Sequence, residues 1–197
     1  MIEPRASRAA PAPSIHPPLA GIGRRPTWRF AFGHPAHVVA LGFGSGLARV
    51  APGTAGTVFG WLLWAWLLPE HWDDGARGMA WLLALGVGGW ACAVTARHLA
   101  DADPPSIVWD EVVAFSLVLW LIGPTTFLGQ AIAFLLFRYF DAAKPGPVAW
   151  ADRRWKGPKP GRPIGLAQGF GIVADDLVAA VCTLFVIAVW RFATAGA

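Results

Sequence analysis

Charge is what this sequence has least of. Lys, Arg, Asp and Glu make up 14% of its 197 residues, against about 25% in an average soluble domain. That deficit excludes an ordinary water-facing surface. Cysteine is scarce as well. Cys92 and Cys182 both lie inside apolar runs, which excludes a disulfide framework and zinc-type spacing and reads as two small buried hydrophobes. His34 and His37 share a helical face and His98 comes later, but a zinc site would still lack a further ligand. No Gly-x4-Gly-Lys-Ser/Thr run is present, which excludes a Walker loop. Residues 1–27 carry no apolar core of a secretory leader; rich in Pro, Ala and Arg, they read as a disordered basic tail.

What the chain has in excess is apolar. It is 55% hydrophobic with a mean hydropathy of +0.49 and holds 12 tryptophans. Five apolar segments stand out: Ala55–Leu68, Met79–Ala100, Val112–Ile122, Thr125–Phe140 and Ile172–Phe192. A bilayer core takes about 20 helical residues. The second and fifth segments reach that length, the third needs its acidic entry to approach it, and the first is short enough to be partial or re-entrant. Gly123-Pro124 is a tight turn that makes segments three and four a helical hairpin. The expected fold is all-α: a polytopic membrane bundle of four to five apolar helices, one domain over residues 28–197. Trp28, Trp72, Trp81, Trp109, Trp120, Trp150, Trp155 and Trp190 fall near segment ends, where headgroups would be, while Trp61, Trp64, Trp66 and Trp90 read as packing residues.

An alternating topology sorts the charges. Arg77 and Arg191 fall on one side, and the other fourteen of the 16 basic residues on the N-terminal side. The excess makes that side cytoplasmic. Asp101, Asp103, Asp110, Glu111, Asp141, Asp152, Asp175 and Asp176 fall there too, whereas Glu70, Asp73 and Asp74 face out.

Two of these stretches are alike. IVWDEVVAF (107–115) and IVADDLVAA (172–180) each set paired acids at the mouth of an apolar run. Carboxylates gathered at one membrane face repel, by roughly 3 kcal/mol for two charges about 6 Å apart at an effective dielectric of 20. A hard divalent cation relieves that repulsion, and Mg²⁺ is commonly shared between carboxylates and substrate phosphate. Asp110, Glu111, Asp175 and Asp176 are therefore the expected Mg²⁺ ligands. The competing explanation is a helix-start device, since acids in a first turn favour the macrodipole by about 0.3–1 kcal/mol each. Asp103 and Asp141 are the acids expected to assist as base or acid.

GFGSGLARVAPGTAGT (42–57) runs into the first segment with five glycines and no acid. Backbone amides at a helix N-terminus can hold a phosphate, so Ser45, Gly46, Thr54 and Thr57 are expected to line a phosphate site. Lys144, in FRYFDAAKPGP, is the expected phosphate-binding cation. The basic run after Asp152 reads as topology and attraction to anionic lipid. Gly157–Gly165 reads as a flexible insertion.

In this order, LGFGSGL…PGTAGT, SIVWDE, FRYFDAAKPGP and GIVADDLVA resemble the phosphatidylglycerophosphatase A family, from about His34 to Ala180. Ser45, Thr54, Asp103, Asp110, Glu111, Asp141, Lys144, Asp175 and Asp176 match the family pattern. The resemblance implies an all-helical enzyme of the Gram-negative inner membrane. It also implies Mg²⁺-dependent removal of the terminal phosphate of phosphatidylglycerophosphate, a membrane phospholipid, to give phosphatidylglycerol. The chain departs from the pattern at Gly146, where the family usually has Trp, at Val173, where it usually has Met, and in extra length over Gly157–Ala167. The competing function is a small polytopic cation transporter, which would set its acids near the midplane of broken helices.

Overall fold

The computed structural model describes residues 25–67, 72–155 and 165–195. Most of the basic tail and most of the Gly157–Gly165 stretch therefore lie outside the described residues. Among those described there is no strand. The helices are α1 (Trp28–Ala31), α2 (Pro35–Ala40), α3 (Pro52–Leu67), α4 (Asp74–Leu99), α5 (Trp109–Ile122), α6 (Phe127–Ala143), α7 (Pro147–Trp155) and α8 (Leu166–Ala195), with a short 3-10 segment over Gly42–Leu47.

Local chemistry sets the ends. Asp73 caps α4 by accepting from the Ala76 amide, and Thr126 caps α6 by accepting from Gly129. Gly123 at φ 71° turns the chain between α5 and α6, as the Gly-Pro pair predicts. Lys144 ends α6 in the left-handed region, Pro145 follows, and Pro147 opens α7 from the first position, where a missing N–H costs nothing.

α8 is the central strut. It packs against α4, α5, α6 and α7, while α3 and α4 both pack on α5. At the α4–α8 crossing, a side chain at Gly169 would strike the Gly89 carbonyl and Ala93, so the two backbones meet through small residues. Phe115 and Phe137 are fully buried beside Ala179 and Ala180, and Trp61 stacks over Phe127 and Phe134. His37 ties the N-terminal segment to α4. Its Nδ1 donates to the Phe30 carbonyl (2.8 Å), so a neutral ring accepts at Nε2 from His98 Nδ1 (2.7 Å).

α4 and α8 are each long and apolar enough to cross a membrane, with mean hydropathies of 1.6 and 2.4 over their best windows. α3, α5 and α6 are shorter. The outside of the molecule is nonetheless heavily apolar: Leu82, Leu83 and Val87 of α4, Leu128 and Leu135 of α6, and Phe185 and Val189 of α8 are exposed. A surface of that kind marks a lipid or protein contact rather than water.

Two expectations from the sequence change. Trp109 is not a headgroup-layer residue: it is 8% exposed and its indole N–H donates to the Ala84 carbonyl (3.0 Å). The start of the last helix also differs. α8 begins at Leu166, so Asp175 and Asp176 lie almost three turns inside it rather than at its mouth. The macrodipole acts within the first turn, so it does not explain that pair. Gly169 and Gly171, which precede the fifth apolar segment, are helical packing positions.

Candidate metal and phosphate site

Asp110 and Glu111 stand in the first turn of α5, and Asp175 and Asp176 in the interior of α8. The crossing of these two helices buries all four: their exposures are 4%, 9%, 0% and 2%. One carboxylate oxygen each from Asp110, Glu111 and Asp176 falls within a mutual 4.8 Å. Lys144 takes Asp175 instead, with Nζ donating to Oδ2 at 3.0 Å and pairing on its other side with Asp152 of α7. Adjacent helical residues diverge by about 100°, which is why the second pair splits between two partners.

The donor set fits Mg²⁺. It is all oxygen, drawn from three carboxylates, and Glu111 Oε2 is buried with no hydrogen-bond partner. Three carboxylate oxygens gathered within 4.8 Å of one another could hold one such ion, which commonly shares its ligands between carboxylates, water and phosphate. Three buried acids in one pocket repel strongly without a cation.

Sequence reasoning does not single out one residue of this site. Arg138 of α6 reaches back into it. Its Nη1 pairs with Asp141 one turn on, lies 3.7 Å from Glu111 Oε1, and donates to Thr57 Oγ1 at 3.3 Å. Thr57 is fully buried and donates in turn to the Gly53 carbonyl (2.9 Å). Arg138 thus joins α3, α5 and α6 beside the acids. The available signal is a cation inside an apolar run, three residues before Asp141. Asp141 itself is only 13% exposed in its side chain.

α3 meets the acids through Gly53. A β-carbon there would collide with Glu111 Oε1 and approach Arg138 Nη2, so only glycine lets the start of α3 come this close. Thr54 is half-buried in the same first turn. Upstream, the expected amide cradle is partly spent: the Gly44 and Gly46 amides donate to the Leu41 carbonyl and the Ala48 amide to Ser45. Ser45 Oγ is buried without a hydrogen-bond partner, and Gly46 packs on the Ser106 carbonyl. Asp103 is exposed on the α4–α5 loop, where its amide donates to the Asp101 side chain.

The model of the phosphatidylglycerophosphatase A family matches residues 38–191. The phosphatidylglycerophosphatase A of Escherichia coli (strain K12) is 32% identical over 153 residues, covering 78% of this chain and 81% of that protein. Its namesake in Haemophilus influenzae is 36% identical over 156 residues, 78% of this chain and 87% of that one. A Bacteroides thetaiotaomicron protein, provisionally named a phosphatidylinositol-3-phosphatase, is 31% identical over 163 residues, 79% and 92% of the two chains. No solved structure matches.

Proposed function

The chain belongs to the phosphatidylglycerophosphatase A family, a family of phosphoric monoester hydrolases, and on that premise we propose that it removes the terminal phosphate of phosphatidylglycerophosphate with the help of Mg²⁺. The observation that carries the reading is the meeting of Asp110, Glu111 and Asp176 from two helices in one buried oxygen set. These three would hold the ion. When bound, Mg²⁺ neutralises phosphate charge and makes a bound water more acidic.

The protein's own groups supply the rest. Phosphoryl transfer asks mainly for positioning and charge neutralisation. The first-turn amides of Gly53 and Thr54 have no intrahelical acceptor, and they stand beside Glu111 and Arg138, where they can receive phosphate oxygens. Thr57 holds that turn in place. Lys144, between Asp152 and Asp175, supplies positive charge at the edge of the site. Asp141, fixed by Arg138, is the acid placed to move a proton near Glu111, and Asp103 is the second candidate, on the loop. Burial of the acids between helices keeps bulk water from competing for them. The cation-transporter alternative loses to the family membership.

The direct test is phosphate release by the purified protein from phosphatidylglycerophosphate, a phosphatidylinositol phosphate and phosphatidic acid, each with Mg²⁺ or with chelator. The expected result is release from the first substrate well above the others, abolished by chelator and restored by Mg²⁺. Equal release with chelator would remove the metal from the mechanism.

The same reading places the enzyme in the inner membrane as a multi-pass protein with its acids on the cytoplasmic side. α4 and α8 would cross fully, and the shorter α3, α5 and α6 would complete the bundle. Arg153 is exposed on α7, on the predicted cytoplasmic face. In a background lacking Cys92 and Cys182, Arg153→Cys should resist a membrane-impermeant maleimide in intact cells and react once the membrane is opened. Labelling in intact cells would reverse the orientation.

A further inference from the structure

A cleft of about 140 Å³ opens between α3 and α4, with α5 as its floor. Gly60, Leu63 and Trp64 come from α3, Trp81 and Ala84 from α4, and Val112 from α5. Its lining is almost wholly carbon, for a definite reason. Of the three indoles in its lining, two have their N–H groups tied elsewhere: Trp81 donates to the Val113 carbonyl (3.0 Å) and Trp109 to Ala84 (3.0 Å). The Ser116 hydroxyl likewise donates to Val113 (2.8 Å). An apolar cleft of this kind favours an apolar guest over water.

Its position says which guest. Gly53, Gly56 and Gly60 form one stripe of α3 laid on α5. A β-carbon at each would meet Glu111, Val108 and Val112 respectively. The stripe begins at the acids and ends at the cleft, seven residues or about 10 Å later. A headgroup with its terminal phosphate at the acids carries a glycerol, a phosphodiester and a second glycerol before its acyl esters, enough to span that distance. We propose that the cleft holds the upper methylenes of one acyl chain of the lipid substrate, so that α3 and α5 together measure the headgroup between the acids and the hydrocarbon. This rests on the lipid phosphatase reading above.

The experiment compares phosphatidylglycerophosphate with its water-soluble, deacylated headgroup, using the full chain in detergent. Ala84→Phe, which fills the cleft from α4, should raise KM for the diacyl lipid about tenfold, the equivalent of withdrawing roughly two methylenes from an apolar site. KM for the deacylated headgroup should stay within about twofold, below a resolvable binding change. Val87→Phe, on the exposed outer face of α4, should change neither. If Ala84→Phe alters both substrates equally, or neither, the proposal is overturned. Should Ala84→Phe fail to fold, Ala80→Phe, in the lining of the same cleft, should show the same KM split, and the unmodified protein gives a second test: a phosphatidylglycerophosphate with a photoactivatable group high on one acyl chain should attach to the segment holding Trp81 and Ala84. Attachment confined to the outer faces of α6 and α8 overturns the cleft as a chain site. Absence of phosphate release from both substrates by the unmodified protein would instead overturn the lipid phosphatase reading, and the attachment result would still judge the cleft.

Discussion

Asp110→Asn and Asp176→Asn should each nearly abolish turnover, and the double variant should be scarcely worse than either. The two residues come from different helices but offer oxygens to one set with Glu111. Groups that act as a unit give non-additive losses. The loss should exceed the roughly 10–100-fold that a residue supporting a metal ligand costs. Folding should survive, because deleting one negative charge from a buried repulsive cluster relieves it. Mg²⁺ supplies a second readout. An ion that binds only the folded protein raises Tm by mass action, so the parent protein should be stabilised by Mg²⁺ and both single variants should lose that response. Asp175→Asn should keep it, since Asp175 faces Lys144 rather than the other three acids. A helix-start role for Asp110 predicts near-normal turnover, a stability loss of about 0.3–1 kcal/mol and simple additivity. Near-normal rates in both single variants would end the metal reading.

Much of this arrangement is legible in the order of residues alone. The apolar runs of α4 and α8 are long, and Gly123-Pro124 marks the turn between α5 and α6. The two like stretches, IVWDE and IVADD, mark in sequence the acids that meet in the fold as Asp110, Glu111 and Asp176. What sequence logic does not place is whatever depends on the mutual rotation of helices. It treats Asp175 and Asp176 as equivalent, yet a rotation of about 100° between neighbours sends one to Lys144 and the other to Asp110 and Glu111. Glycine misleads twice. Gly169 and Gly171 fall before the apolar segment that starts at Ile172, yet in a tight bundle they let helices touch. Gly42, Gly44 and Gly46 look like an open anion cradle, but the Gly44 and Gly46 amides are turned inward onto Leu41. Trp109 sits at a segment end, where a lipid-facing indole is expected, and only the proximity of α4 gives its N–H a buried acceptor.

Arg138 is the most instructive omission, and replacing it should have the second largest effect. In sequence it is one cation among many on the basic side. In the fold its side chain is 19% exposed and stands between Glu111 and Asp141. Removing one partner of a buried ion pair typically costs about 3–5 kcal/mol, because the remaining charge is stranded. Arg138→Leu should therefore lower Tm markedly and reduce turnover by roughly a hundredfold or more, on the scale of losing a group that stabilises developing charge. Arg138→Lys should recover much of the stability and little of the activity. An ammonium can neutralise one carboxylate, but lysine's stem is one atom shorter and falls short of the point where Arg138 Nη1 meets Glu111, Asp141 and Thr57 together. The combination Arg138→Leu with Asp141→Leu separates structure from chemistry. With both partners gone no charge of that pair is stranded, and stability should return toward that of the parent. Turnover should stay low if the pair positions Glu111 and moves a proton at the site. Turnover that returns together with Tm would reduce Arg138 and Asp141 to a structural clasp between α3, α5 and α6.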